Sequence, residues 1–145
     1  MTENKELNSY KKFVQYHETD MMGVAHHSNY IKWMEEARVD LLRNTTLKEC
    51  HAPYIDYTLA VLQTSCIHKR PCRFGDEVEV KTKVYSEGSK FRFVYEIYNG
   101  ETLCALGFTL HIGVDRDLKV VKHPPKEYAK YVEDGVWTET WPSNL

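Results

Sequence analysis

Between Thr58 and Val114 the chain is an almost unbroken series of strand and turn patterns. Thr58 to Arg70 is a first strand candidate. Asp76 to Ser86 alternates cleanly, with Val78, Val80, Thr82 and Val84 on one face and Glu79, Lys81 and Lys83 on the other. Lys90 to Tyr98 alternates again, Phe91, Phe93, Tyr95 and Ile97 against Lys90, Arg92 and Glu96, and Thr102 to Val114 is a fourth long run. A repeat of two is that of a pleated strand with one face buried. The joints Phe74-Gly75-Asp76, Glu87-Gly88-Ser89 and Asn99-Gly100-Glu101 carry residues that accept tight turns, Asn-Gly most strongly. A one-sided sheet needs a cover, and the chain offers one long helical pattern. Tyr30, Trp33, Met34, Ala37, Leu41 and Leu42 recur at the spacing of one helical face, with Lys32, Glu35, Glu36, Arg38 and Asp40 opposite. A first strand from Tyr10 to His17, a helix to about Arg43 and four strands in tandem hairpins predict an α+β fold, an antiparallel sheet beside one helix.

The remaining segments are peripheral to that plan. Asn44-Thr45-Thr46 should end the helix, and Leu47 to Tyr57, with Pro53 inside it, is expected to be irregular and to cover one mouth of a pocket. A final helix is expected from the prolines at 124 and 125 through Lys126 to Glu133. One domain spans residues 1–145, with residues 1–8 and 134–145 as peripheral tails. Trp137 and Trp141 are costly to leave in water, so the tail is expected to pack on the body or on a partner subunit.

The chemistry gathers between Tyr16 and Arg43. The loop before the helix holds two carboxylates (Glu18, Asp20), three histidines (His17, His26, His27) and Gly23. Ser28 or Asn29 can cap the helix start by accepting a free backbone N–H. A carboxylate and a histidine beside a helix N-terminus, where unpaired N–H groups favour an anion or a developing oxyanion, point to acyl chemistry. Asp20, with an ordinary pKa of about 3.9, is ionised at neutral pH and can act as nucleophile or general base. Beside Gly23 it equally fits a turn cap. Acyl transfer with a good leaving group asks for little more than a carboxylate and an oxyanion site. The His27 N–H can donate to that oxyanion. Its imidazole can orient Asp20, hold water or polarise a carbonyl, or can simply be a surface histidine at a helix end. Asn29 and Tyr30 are expected to fix the helix start, and His17 and His26 to be structural or exposed. The same cluster offers donors that a transition metal accepts. HExxH is absent and no third ligand stands at a fixed spacing, so no metal site is predicted.

The run Glu18-Thr19-Asp20-Met21-Met22-Gly23-Val24-Ala25-His26-His27-Ser28-Asn29-Tyr30 resembles the signature of the hot-dog-fold acyl-CoA thioesterases, nearest the 4-hydroxybenzoyl-CoA thioesterase family and its YbgC-like branch. The resemblance extends from about Tyr10 to Tyr131. It implies a sheet wrapped around one long central helix, Asp20 as the catalytic carboxylate, and His27 where the YbgC-like branch has a histidine, its backbone N–H serving as oxyanion donor. It implies a pocket-lining role for Tyr16, for which core packing is the alternative. Glu18 stands where the first acid is usually Asp, and Met21-Met22 replace the residues before the family's glycine. The latter change bears on pocket shape and substrate more than on reaction type. The resemblance also implies active sites between subunits, hence a homodimer or a dimer of dimers.

The substrate implied is a small aromatic or short- to medium-chain acyl thioester of coenzyme A, with no further cofactor; an acyl carrier protein is the other carrier to consider. Coenzyme A phosphates want Lys and Arg. Lys69 and Arg70 after His68, and Ser89, Lys90 and Arg92 after a glycine turn, are the candidates, the second set resembling the family's nucleotide-site segment; an ordinary solvated strand face is the alternative. The rival reading is a non-catalytic acyl-thioester sensor or scaffold on the same fold, and a dehydratase is a weaker one.

A net charge of −2 gives no reason for broad attraction to nucleic acid or to a membrane surface. No apolar run approaches the ~18 residues of a membrane span, and the polar N-terminus lacks a signal peptide's apolar core. The four cysteines (Cys50, Cys66, Cys72, Cys104) form no CxxC pair and are expected to be reduced thiols in a cytoplasmic protein.

Overall fold

The computed structural model describes residues 8–43 and 57–133. The expectations for 44–56, for Cys50 and for both tails, Trp137 and Trp141 included, fall outside those residues. Strand β1 (Asn8–Phe13) is followed by a 3-10 turn (Tyr16–Glu18), helix α1 (Ser28–Arg43), and strands β2 (Thr58–His68), β3 (Glu77–Glu87), β4 (Lys90–Asn99) and β5 (Thr102–Val114). A 3-10 helix (Lys126–Lys130) and a two-residue strand β6 (Val132–Glu133) complete the order. The five long strands pair antiparallel in the order β1-β3-β4-β5-β2, and β6 adds to β3 in parallel.

The alternation seen in the sequence sets the core. Val78, Val80, Thr82 and Val84 of β3 and Phe91, Phe93, Tyr95 and Ile97 of β4 are all buried, while the residues between them are partly exposed. From the helix, Trp33, Met34, Ala37 and Leu41 are buried with them. Both hairpins have two-residue loops, with Glu87 opposite Lys90 and Asn99 opposite Thr102. The turn residues are therefore Gly88-Ser89 and Gly100-Glu101, each glycine at positive φ, and Asn99 is the last strand residue. The helix comes close to β5 where Gly107 leaves room. A Cβ there would collide with Met34 Sδ and lie 2.9 Å from the Ser65 carbonyl oxygen. Gly107→Ala is accordingly expected to cost about 1–3 kcal/mol by overpacking. Equilibrium urea unfolding checks this, and a midpoint equal to wild type would contradict it.

Four boundaries differ from the sequence reading. The first strand stops at Phe13 because the Gln15 N–H turns to the Glu18 carboxylate, 2.8 Å away, and opens the 3-10 turn. Strand β2 stops at His68 because the N–H groups of Lys69 and Arg70 both donate to the Cys104 carbonyl, at 2.8 and 3.1 Å. The final helix is only the 3-10 segment Lys126–Lys130. Its Tyr128 is buried against Phe91 and Tyr57, and Val132–Glu133 then return to the sheet. Neither Ser28 nor Asn29 accepts a capping bond: the Ser28 N–H donates to His26 Nδ1 at 3.2 Å, and Asn29 is a donor through its side chain. β2 is a sheet edge carrying a bulge between Val61 and Gln63, with Val61 and Leu62 half exposed.

Candidate active site

The Asp20 loop is a tight turn. The Gly23 N–H donates to the Asp20 carbonyl at 3.0 Å, the Asp20 N–H to the Val24 carbonyl at 2.9 Å, and Gly23 sits at φ +77°, where a side chain would be strained. Asp20 Oδ1 accepts the Met22 N–H at 2.8 Å, so the turn-cap role is real. That bond uses one oxygen. Oδ2 has no partner among the described residues, and Asp20 lines an open pocket of about 340 Å³. The pinned oxygen orients the free one. The turn is in turn held to the segment joining β2 and β3, since the Ala25 N–H donates to the Cys72 carbonyl at 2.7 Å.

The start of α1 faces the same pocket. The N–H groups of His26, Asn29 and Tyr30 are taken by the carbonyls of Glu18, His26 and His27 respectively, and that of Ser28 by the His26 ring. The His27 N–H has no acceptor among the described residues, and His27 lines the pocket with Asp20. An unpaired N–H at a helix N-terminus can stabilise a developing oxyanion, and an oriented carboxylate in the same pocket can activate or supply the nucleophile. His26 is exposed and lies against His27, ring centroids 4.2 Å apart.

Lys69 and Arg70 reach this pocket from the end of β2, together with His68. Among the described lining residues Asp20 is the only carboxylate, with two histidines, a lysine and an arginine. Lost hydration on its pocket side, and then the neighbouring His27, push the His68 pKa down, so its ring is neutral at neutral pH. The Tyr30 ring meets His68 edge-on at 4.7 Å. Burial and then the adjacent Cys72 push the Tyr30 hydroxyl up, so it stays protonated. Met22 supplies an apolar, exposed rim.

The other expected site residues lie elsewhere. Tyr16 is 77 % exposed and stacks edge-on with Phe74, neither lining this pocket nor in the core. Asn29 is buried and donates to the carbonyls of Glu18 and His26, which makes it part of the scaffold. Ser89, Lys90 and Arg92 belong to the β3–β4 hairpin. Lys90 pairs with Ile112, whereas the pocket adjoins Cys104, roughly 27 Å further along β5 at the rise of a strand. Arg92 is engaged by Glu87 at 2.5 Å. Among the described residues no group of three potential metal ligands comes together.

Two residues line this pocket that the sequence reading did not assign to a site. His68 stood in the sequence only as the neighbour of two cations, and Tyr30 as part of the helix start and of the apolar helical face. No periodicity singles out His68, because β2 is exposed along most of its length. Tyr30 had a usable signal: it falls on the apolar helical face at the turn nearest the loop.

The sequence profile described as the Thioesterase-like superfamily matches residues 14–132. A candidate acyl-CoA thioesterase of Bacillus subtilis (strain 168), YneP, is 32% identical over 107 residues, covering 72% of this chain and 77% of its own. The acyl-CoA thioester hydrolase YbgC of Escherichia coli O6:H1 is 28% identical over 89 residues, 61% of this chain and 66% of its own. Among solved structures, the Thermus thermophilus protein TT1821 superposes with a TM-score of 0.77 at 31% identity, covering 85% of this chain and 95% of its own.

Proposed function

The chain belongs to the thioesterase-like superfamily, with the hot-dog arrangement of sheet and helix, and on that premise we propose that it is an acyl-CoA thioesterase working through Asp20. The observation that carries this reading is the Asp20 carboxylate itself, one oxygen fixed by the Met22 N–H and the other without a partner among the described residues, in a residue that lines one pocket with His27. The thioester carbonyl oxygen would sit against the His27 N–H. Asp20 Oδ2 would either take a proton from a water attacking the carbonyl carbon or attack that carbon itself. In both routes the negative charge gathers on an oxygen facing a helix N-terminus, and the carbon–sulfur bond breaks to release a thiolate; on the second route water then cleaves the acyl-aspartyl anhydride, releasing the acid and restoring the Asp20 carboxylate. No cofactor or metal is called on.

The acyl group would be small aromatic or short- to medium-chain, as the modest pocket with the Tyr30 and His68 rings, Met22 and Val24 supports. Lys69 and Arg70 at the pocket would meet the anionic part of the carrier, coenzyme A or an acyl carrier protein. Ser89, Lys90 and Arg92 could serve a pocket only from a second copy, which fits a homodimer or homotetramer with sites between subunits. The half-exposed Val61 and Leu62 on the β2 edge give such an assembly a surface to bury. The three described cysteines are free, which supports a cytoplasmic setting, and no helix among the described residues is long and apolar enough to cross a membrane.

The test is free-thiol release from a panel of aromatic and aliphatic acyl-CoAs, with size-exclusion mass measured on the same preparation. Turnover of at least one member is expected, from an oligomer. Tight binding without thiol release would favour the sensor reading instead, and a monomer would remove the hairpin residues from the site.

A further inference from the structure

We propose that Glu18 is a positioning residue for this hydrolysis, its buried carboxylate and its backbone carbonyl together fixing the Asp20 loop against the start of α1. The inference rests on the thioesterase reading above. Glu18 is 5 % exposed. Its Oε1 accepts the Gln15 N–H at 2.8 Å, and its Oε2 accepts Trp33 Nε1 at 2.9 Å and Lys12 Nζ at 3.1 Å. One carboxylate thus ties β1, the 3-10 turn and the second turn of α1. Its carbonyl oxygen accepts the His26 N–H and Asn29 Nδ2, both at 2.8 Å. The first of these pins the residue before His27, and Glu18 itself stands two residues before Asp20.

A carboxylate is an expensive way to fill a core position. Burial works against the charge of Glu18, yet the bonds from Gln15, Trp33 and Lys12 outweigh it and hold its pKa below the usual range. What this arrangement provides, and an apolar residue could not, is a fixed relation between two things that chemistry must hold together. One is the turn carrying Asp20; the other is the helix end carrying the unpaired His27 N–H. Displacements near 1 Å between reacting groups can cost about a hundredfold in rate. Glu18 has one methylene more than aspartate, and it uses that reach to span from the Gln15 N–H to the indole of Trp33.

The experiment compares wild type, Glu18→Gln, Trp33→Phe, their double variant and Asp20→Asn on the best acyl-CoA of the panel, well below each melting temperature. Glu18→Gln keeps the shape but turns an amide donor toward Lys12, and Trp33→Phe keeps the ring but removes its N–H. Both are expected to lower kcat about ten- to a hundredfold with KM within about twofold of wild type. The double variant should lose less than the product of the two, because both break the same clamp. Wild-type kcat in folded Glu18→Gln, with Asp20→Asn slowed about a thousandfold, would overturn the positioning role alone. So would losses that are multiplicative, or that appear in KM rather than kcat. A wild-type protein that turns over no acyl-CoA would remove the hydrolysis reading and this inference with it.

Discussion

Asp20→Asn is expected to lower kcat for acyl-CoA hydrolysis by about a thousandfold, within the range of about 10²–10⁴ typical for loss of a general base. The substitution is well matched to the question. The amide oxygen it introduces can still accept the Met22 N–H, so the turn that ends at Gly23 should persist. What changes is the oxygen that has no partner among the described residues. An amide nitrogen in its place neither accepts a proton nor attacks a carbonyl. The His27 N–H and the Lys69 and Arg70 side chains are untouched, so KM should stay within about threefold and residual turnover from the oxyanion site should remain above background. Steady-state thiol release and a thermal melt on one preparation check this. A variant that hydrolyses at the wild-type rate would strip Asp20 of any role in the chemistry. The pocket would then leave His27 and His68 as the groups able to assist a water, the latter already neutral at neutral pH.

That Asp20 and His27 share one pocket was legible in the sequence, and that His68 joins them was not, for a physical reason. Asp20, Gly23 and His27 are brought together by local structure, a turn and a helix start, and local structure is what short-range sequence pattern encodes. The strands of β3 and β4 were legible for the same reason, since a period of two in residues 78–84 and 91–97 needs only the pleat to be meaningful. Lys69, Arg70 and His68 reach the pocket through the pairing of β2 with β5 at the far edge of the sheet. That order, β1-β3-β4-β5-β2, is a long-range property which no short stretch of sequence contains. The hairpin residues Ser89, Lys90 and Arg92 illustrate the same limit from the other side. Alternation gives the face on which Lys90 and Arg92 lie but not the end of the sheet, and the end decides which pocket they can serve. The clamp at Glu18 was hidden for a third reason. Its partners Lys12, Gln15 and Trp33 lie on three different elements, so each looked like an ordinary surface or core residue in its own segment.

That clamp makes Trp33 the residue whose truncation should most damage the fold. Trp33→Ala is expected to cost about 3–5 kcal/mol, a large fraction of the ~5–15 kcal/mol that typically holds a domain together. Trp33 is fully buried, its ring packs on Tyr30 with centroids 4.7 Å apart, and Lys12 Nζ lies 5.5 Å from the ring centroid. Alanine would leave a cavity between α1 and the strands it covers. It would also remove the donor at 2.9 Å from Glu18 Oε2, leaving that oxygen with Lys12 alone. The two losses can be separated. Phenylalanine refills most of the cavity and forgoes only the bond to the carboxylate, for which about 1–3 kcal/mol is expected. Urea unfolding of the three proteins should therefore order them as wild type, then Trp33→Phe, then Trp33→Ala. A Phe variant as unstable as the Ala variant would mean that the indole N–H, not the ring's bulk, dominates this position. An Ala variant within about 1 kcal/mol of wild type, against the cavity cost expected for a buried tryptophan, would mean that α1 is held to the sheet chiefly by Met34, Ala37 and Leu41. The helix start carrying His27 would then be anchored independently of the core beneath it.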